Sequence, residues 1–348
     1  MAMDRDIAVA VADALASGGA LRRARGWEML AATGVRGLRV LNESRLLGSL
    51  LLTELDPEAF DVLRSNAARF EAIGAVALPH DARTAPPGGP FDYVDLDPYG
   101  TPEPFLGTAL DAIAPGGVLA ITATDMRVLA GVERGACEHR YSARPVRGRL
   151  GPEGGLRILL AWIDRVAAER GRSVRPVVSY VRDHHVRAYL KVNAEAARSP
   201  SPVGFIDPAE FPGPLLKGPG PFGPMWLGPL FDPAVVRATQ TPASCEHPVA
   251  SGRFLELLRE EAGVDAPFYY ESNELARAIP LENPPPVADL LAALSSLGWA
   301  AARTHARPGA FRTPAPRTVV ERVARETAER RTAATPRTPG SSRSSAPP

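Results

Sequence analysis

Short apolar runs of strand length alternate with longer stretches of helical spacing through the first 195 residues. Residues 27–32 (WEMLAA), 49–53 (SLLLT), 75–79, 91–97 (FDYVDLD) and 117–123 (GVLAITA) read as strands. Between them, 37–48, 56–72 and 103–113 read as helices. Asp56-Pro57 is a start signal, a capping carboxylate followed by proline at the first helical position. Residues 153–170 set Leu156, Leu159, Leu160, Ile163 and Val166 at helical spacing, and 174–181 and 186–193 form two more strands around Asp183-His184-His185. Repeated strand–helix units predict a parallel sheet with helices on both faces. The last two strands are joined too closely for a crossover, which predicts an antiparallel pair. The expected fold class is therefore α/β, a doubly wound, mostly parallel sheet with an antiparallel edge, over residues 1–195.

The pattern then breaks. Residues 196–249 are crowded with proline and glycine (SPSPVGFIDPAEFPGPLLKGPGPFGP) and read as an irregular connector. Helical patterns return at 250–312 (GRFLELLREE, SNELARA, VADLLAALSSLG), with one strand-like WAAARTH. A smaller, mostly helical α+β C-terminal domain is expected over 250–318. Residues 313–331 read as a frayed basic helix and 332–348 (TAATPRTPGSSRSSAPP) as disordered, so 319–348 is expected to be a basic, largely disordered tail.

Composition narrows the setting. Apolar residues make up 45% of the 348, enough for a sizeable core, yet no run of about 18 of them exists to span a membrane. Asp4 and Asp6 stand where a secretory leader would carry basic residues. Cys137 and Cys245 are isolated from one another, which excludes a disulfide scaffold and any multi-cysteine zinc site. A reducing, cytoplasmic setting and a monomer are expected. The net charge of +1 hides an asymmetry: residues 121–191 and 303–348 each carry +7, leaving the remainder at −13. Two basic blocks on a near-neutral chain suit a polyanionic partner approached by particular faces. Solvated arginines in an Arg-rich composition would look the same.

In a doubly wound sheet the ligand lies at the carboxyl ends of the strands. The loop after the first strand, Ala32-Thr33-Gly34-Val35-Arg36-Gly37, offers glycines for close backbone approach to a ligand, although an ordinary tight turn has the same composition. Glu54 follows the second strand, 20 residues past Gly34, the spacing at which an acid accepts from ribose hydroxyls. Asp81-Ala82 after the third strand could meet an adenine amino group, or be a surface turn. The sharpest signal follows the fourth strand: Asp95-Leu96-Asp97-Pro98-Tyr99-Gly100. An Asp-Pro-aromatic run there suits a planar exocyclic amine. Its lone pair is delocalised into the ring, and a carboxylate and a proline carbonyl accepting its two N–H bonds favour the pyramidal, nucleophilic form. The aromatic ring would stack on the base. The bland alternative is a strand-ending turn. Together, Glu54, Asp81 and Asp97 suit S-adenosylmethionine, and no Walker lysine motif points to a nucleoside triphosphate.

At these motifs the chain resembles the tRNA (guanine(26)-N(2))-dimethyltransferase family. The resemblance runs through Arg5-Asp6, AATGVRGLR, TELDPEAFDVLRSNAARF, FDYVDLDPYGTPEPFL, ITATDMRVLAGVERGACEHRYSARPVR, SYVRDHHVRAYLKV and GPMWLGPLFD to PFYYESNELAR and ARTHARPGAFRTPAP, covering about residues 4–318. It implies a class I S-adenosylmethionine-dependent methyltransferase acting on guanine N2 in tRNA. Arg5, Gly34 and Arg36 would serve the cofactor's methionine end, Glu54 its ribose, and Asp81 and Ala82 its adenine. Asp97 would be the catalytic acid, with Pro98 and Tyr99 completing the pocket. Arg127, Arg134, Arg140, Arg144 and Arg147, with Arg149 beside them, would line the tRNA approach, and Arg303, His305 and Arg312 would grip a distant arm. Two departures stand out. Family members usually set an aromatic, proline-containing segment ahead of the Arg-Asp pair, which here occupies positions 5 and 6. Many also carry a four-cysteine zinc ribbon in the connector, where the stretch PVGFIDPAEFPGPLLKGPGPFGP has no cysteine, so no metal is expected.

Overall fold

The computed structural model describes residues 2–18, 21–195 and 200–334. Helix α1 (Ala2–Ser17) opens the chain, followed by β1 (Ala24–Glu28), α2 (Val35–Glu43), β2 (Leu47–Glu54), α3 (Pro57–Ala68), β3 (Ala75–Pro79), β4 (Phe91–Leu96), α4 (Glu103–Ala112) and β5 (Ile113–Ala123). Short helices α5 (Met126–Leu129) and α6 (Arg134–Tyr141) precede the long α7 (Gly151–Ala168) and the hairpin β6 (Ser173–Arg182) and β7 (His185–Asn193). The seven strands form one sheet in the order β3-β2-β1-β4-β5-β7-β6. The first five run parallel, and β7 enters antiparallel to both β5 and β6. This is the doubly wound sheet with an antiparallel edge that the alternation of runs predicts. The order reverses between β1 and β4, which opens a crevice there at the carboxyl ends of the strands.

Three local differences have physical causes. The first strand lies at Ala24–Glu28, not 27–32. Its register is set by pairing with Leu47–Leu52 on one side and Tyr93–Asp95 on the other. The apolar residues beyond Glu28 turn away, with Ala32 at φ 48° and Gly34 at φ 73°. Residues 2–17, where the pattern of apolar positions specifies no element, form α1. Its small side chains (Ala8, Ala10, Ala12, Ala14, Ala16) let it sink among α2 and later helices with little exposed face, so it carries weak amphipathic periodicity. The connector also has structure: β8 (Val203–Ile206) pairs with β9 (Phe222–Trp226), and α8 (Pro233–Ala238) packs against α1.

The remainder comprises α9 (Pro248–Glu261), β10 (Tyr270–Glu271), α10 (Ser272–Ala278), α11 (Val287–Ser296), β11 (Ala302–Arg303), β12 (Ala310–Arg312) and α12 (Arg317–Ala334), with a small sheet β10-β12-β11. Phe254, Leu255 and Leu258 of α9 join the main core, whereas Tyr270, Leu275, Leu290, Leu294, Phe311, Val320 and Val323 build a second one. Residues 319–334, expected within a loose tail, thus belong to a helix whose Val320, Val323 and Ala324 are fully buried. The rest of that expected tail, 335–348, lies outside the described residues.

Candidate active site

Glu28 and Asp95 are register partners at the ends of β1 and β4, deep under the crevice. Two carboxylates side by side in a buried sheet need cations, and Arg187 of β7 supplies one. Its Nη2 lies 2.6 Å from Asp95 Oδ2 and its Nη1 donates to Asp95 Oδ1 (3.1 Å) and Thr122 Oγ1 (2.7 Å). Arg36, on the first turn of α2, supplies the other. It pairs with Asp97 and stands 3.9 Å from Asp95. Burial works against the Asp97 charge, but the guanidinium of Arg36, then that of Arg187, with a hydrogen bond from Thr122, holds its carboxyl below the usual range. Asp97 is thus ionised. Glu28 receives no full share of either cation. Burial, reinforced by Asp95, pushes its carboxyl up to about 8, against the pull of Arg36. Two arginines balance two aspartates, and the third acid keeps its proton at neutral pH.

The strand-end loops hold the rest of the crevice. A Cβ at Gly34 would stand 2.6 Å from Leu63 Cδ1, and its φ of 73° is one that side chains rarely adopt, so glycine is required at this turn. Asn66 Nδ2 of α3 donates to the Thr33 carbonyl (2.9 Å) and braces the same loop. Glu54 reaches across from β2: one oxygen accepts from the Ala32 amide (2.9 Å), the other from the Leu55 and Asp56 amides (2.8 and 3.0 Å). Asp81 accepts from the Arg83 backbone and side chain, and those bonds hold its carboxyl down, to about 2. Ala82 beside it is buried. Pro98 is buried, whereas Tyr99 is fully exposed, its ring free at the mouth of the site. Gly100, at φ 91°, turns the chain so that its amide donates to Thr124 Oγ1 (2.7 Å) and its carbonyl accepts from the Thr124 amide (2.9 Å). The loops after β4 and β5 are thereby joined.

Arg5 lies on α1, 3.6 Å from Glu246, with its Nε buried and unpartnered. Its neighbours clamp the helix: Asp4 pairs with Arg182 (2.7 Å), and Asp6 with Arg39 (2.8 Å), one turn along α2 from Arg36. Of the arginines expected to meet tRNA, Arg127, Arg134 and Arg147 are exposed, the first two paired with Glu133 and Glu138. Arg140 is turned inward onto Asp125 (2.6 Å), and Arg144 donates to the Gly220 carbonyl and lies over Phe222. Arg303 is exposed and paired with Glu260. Arg312 is a correction: only 2% of its surface is exposed, because it bridges Glu153 (2.9 Å) and Glu261 (2.7 Å) inside the junction between the two cores. The His305 side chain is buried there too, with Nδ1 on Glu261 and Nε2 accepting from the Val181 amide (3.1 Å). Neither reaches a surface where an RNA could touch it.

Sequence reasoning gave no role to Glu28, Asp95, Arg187 and Asp125. A charge inside an apolar strand is the signal that finds the first three, since burial demands a partner. Among the described residues no group of three or more His, Cys, Asp or Glu is arranged to hold a metal ion, and no helix is long and apolar enough to cross a membrane.

A family model described as N2,N2-dimethylguanosine tRNA methyltransferase matches residues 1–204 and 217–325. The chain belongs to that family. It is 37% identical over 352 residues to the tRNA (guanine(26)-N(2))-dimethyltransferase of Thermococcus kodakarensis, covering 93% of this chain and 91% of the relative. It is 30% identical to the protein of the same name from Pyrococcus abyssi, covering 91% and 89%. Among solved structures, Trm1 from Pyrococcus horikoshii in complex with S-adenosyl-L-methionine superposes with a TM-score of 0.81 at 29% identity, over 93% of this chain and 92% of that one. The family's cofactor fits the residues present. The buried, unpartnered Nε atoms of Arg5 and Arg36 are donors awaiting an anion such as the methionine carboxylate. The left-handed turn at Gly34 packs against Leu63 and Leu52 and fixes the loop at the first strand end, and the carboxylates of Glu54 and Asp81 stand at the next two.

Proposed function

We propose that this protein transfers methyl groups from S-adenosyl-L-methionine to the exocyclic N2 of a guanine in tRNA, at position 26, first once and then a second time. The observation that supports it most is an ionised Asp97, followed by buried Pro98 and exposed Tyr99, at the end of the strand beside the topological switch point. When bound, the cofactor supplies a methyl carbon made electrophilic by its sulfonium. The protein contributes position and charge. Arg36 and Arg5 hold the methionine end, Glu54 the ribose hydroxyls, and Asp81 with the Ala82 amide the adenine. Tyr99, unpacked at the rim, stacks on a guanine flipped out of the tRNA. The Asp97 carboxylate accepts one N2–H bond and the Pro98 carbonyl the other, so the nitrogen lone pair points at the methyl carbon. As the new N–C bond formed, the bond from that carbon to the sulfonium would break with its electron pair left on sulfur, giving neutral S-adenosylhomocysteine, and the cationic N2 would give a proton to Asp97. One proton remains on N2, which permits the second transfer after exchange of cofactor.

The exposed Arg127, Arg134, Arg147 and Arg303 suit phosphate contacts along the tRNA. Mass spectrometry of nucleosides from tRNA incubated with protein and cofactor tests the reading. N2-methyl- and N2,N2-dimethylguanosine are expected, and neither should form when position 26 of the transcript is adenine. Methylation elsewhere on the nucleosides, or none, contradicts the proposal.

A further inference from the structure

Asp125 opens α5 at the position where an aspartate ordinarily caps a helix, yet its side chain makes no capping bond. Its carboxylate turns the other way. Oδ2 accepts from the Arg140 guanidinium (2.6 Å) and from the Tyr141 hydroxyl (2.9 Å), while Oδ1 is buried and has no partner. The side chain is 9% exposed. A buried carboxylate oxygen left without a donor is costly, and such an atom asks what it receives.

Its position gives the answer. Asp125 follows Thr124, which is joined by two hydrogen bonds to Gly100, three residues after Asp97. Tyr141 ties Asp125 to the same loop, since its hydroxyl also meets Thr101 Oγ1 (3.0 Å). The two aspartates thus sit on loops joined to each other at the carboxyl ends of β4 and β5, the first read above as the acceptor for the amine. Guanine alone among the four bases carries an amino group next to a ring N–H. Adenine and cytosine present a ring acceptor beside the amine, which a carboxylate repels, and uracil has no amine. The Arg140 guanidinium against Asp125 adds a donor where guanine carries O6.

We infer that Asp125 is a specificity residue: Oδ1 accepts the ring N1–H of the flipped guanine while Asp97 holds its N2 amine. The assignment rests on the proposed guanine N2 reaction and names what makes that site select its base. The edge of the base enters beside Tyr99, whose ring has no packing to lose.

The test compares tRNA transcripts carrying guanine or 2-aminopurine at the target position. The analogue keeps the amine and lacks N1–H. Asp125→Ala lowers kcat/KM on guanine about 10- to 100-fold, the worth of one hydrogen bond to a charged group, and leaves the analogue nearly unchanged, so the preference collapses. Differences in intrinsic amine reactivity cancel, because each variant is compared with wild type on the same RNA. Tyr141→Phe loosens the same carboxylate without removing Oδ1 and keeps the preference. Asp125→Asn is the isosteric check, and calorimetric titration with S-adenosyl-L-methionine shows that each variant is folded. Equal losses on both RNAs, or an unaltered preference, overturn the inference. Failure of the underlying reading looks different: the wild type then makes no N2-methylguanosine from the guanine transcript and no N2-methyl-2-aminopurine from the other.

Discussion

Asp97 keeps its charge because Arg36 stands against it, and that pair makes a pH prediction. In the wild type the carboxyl lies below the usual range, so its protonation adds no acid limb to the rate profile under mildly acidic conditions. In Arg36→Met burial goes unopposed by the nearest cation and the Asp97 carboxyl rises. Stopped-time assays at saturating cofactor should then show activity falling as the pH is made mildly acidic, a limb absent from the wild type. Glu28 predicts the reverse for stability. The folded protein holds its proton to about pH 8, whereas an unburied glutamate releases it near 4.5. Folding takes up a proton between those values, so stability falls as pH rises through that window. Glu28→Gln removes the dependence. Its denaturation midpoint should gain on the wild type with rising pH, by on the order of a few kcal/mol at pH 8. The places of Asp97, Glu54 and Asp81 at or just past strand ends were legible in the sequence because each follows a strand-length apolar run. Glu28, Asp95 and Arg187 were not assembled, because their contacts join β1, β4 and β7, and no local pattern reports strand order.

The elements show the same division between local and distant causes. Helix α3 begins where Asp56-Pro57 says it must: the Asp56 carboxylate accepts from the Ala59 amide at 2.9 Å. Asp56→Ala should cost about 1 kcal/mol in urea denaturation. Helix α1 gave no such signal, since helix capping and periodicity say little about a small-residue helix buried on most sides. The junction at Arg312 was misread for a related reason. An arginine in a basic block reads as a solvated charge, and only the tertiary fold brings Glu153 from α7 and Glu261 from α9 to meet it. Removing it takes a shared cation from two buried carboxylates, leaving Glu153 to Arg157 (2.8 Å) and Glu261 to His305. Arg312→Ala should destabilise the protein by about 3–5 kcal/mol, read from the shift in denaturation midpoint, while Arg303→Ala, at an exposed ion pair, should shift it by less than about 1 kcal/mol.

At the scale of the molecule, the seven-stranded sheet is joined by a buried ionic junction to a second core, and Arg127, Arg134, Arg147 and Arg303 stand exposed. If Arg147 meets a phosphate, Arg147→Ala should weaken tRNA binding and reduce the slope of log K against log salt by about 0.7–0.9, leaving the methylated position unchanged. The central claim is that the Asp97 carboxylate activates the amine, and the most direct measurement is methyl transfer to tRNA by Asp97→Asn, with cofactor and tRNA affinities measured on the same preparation. The account predicts a loss of about 100- to 1,000-fold in kcat, with tRNA affinity within about twofold of wild type and the cofactor still bound. Turnover at the wild-type rate with both ligands bound would contradict it.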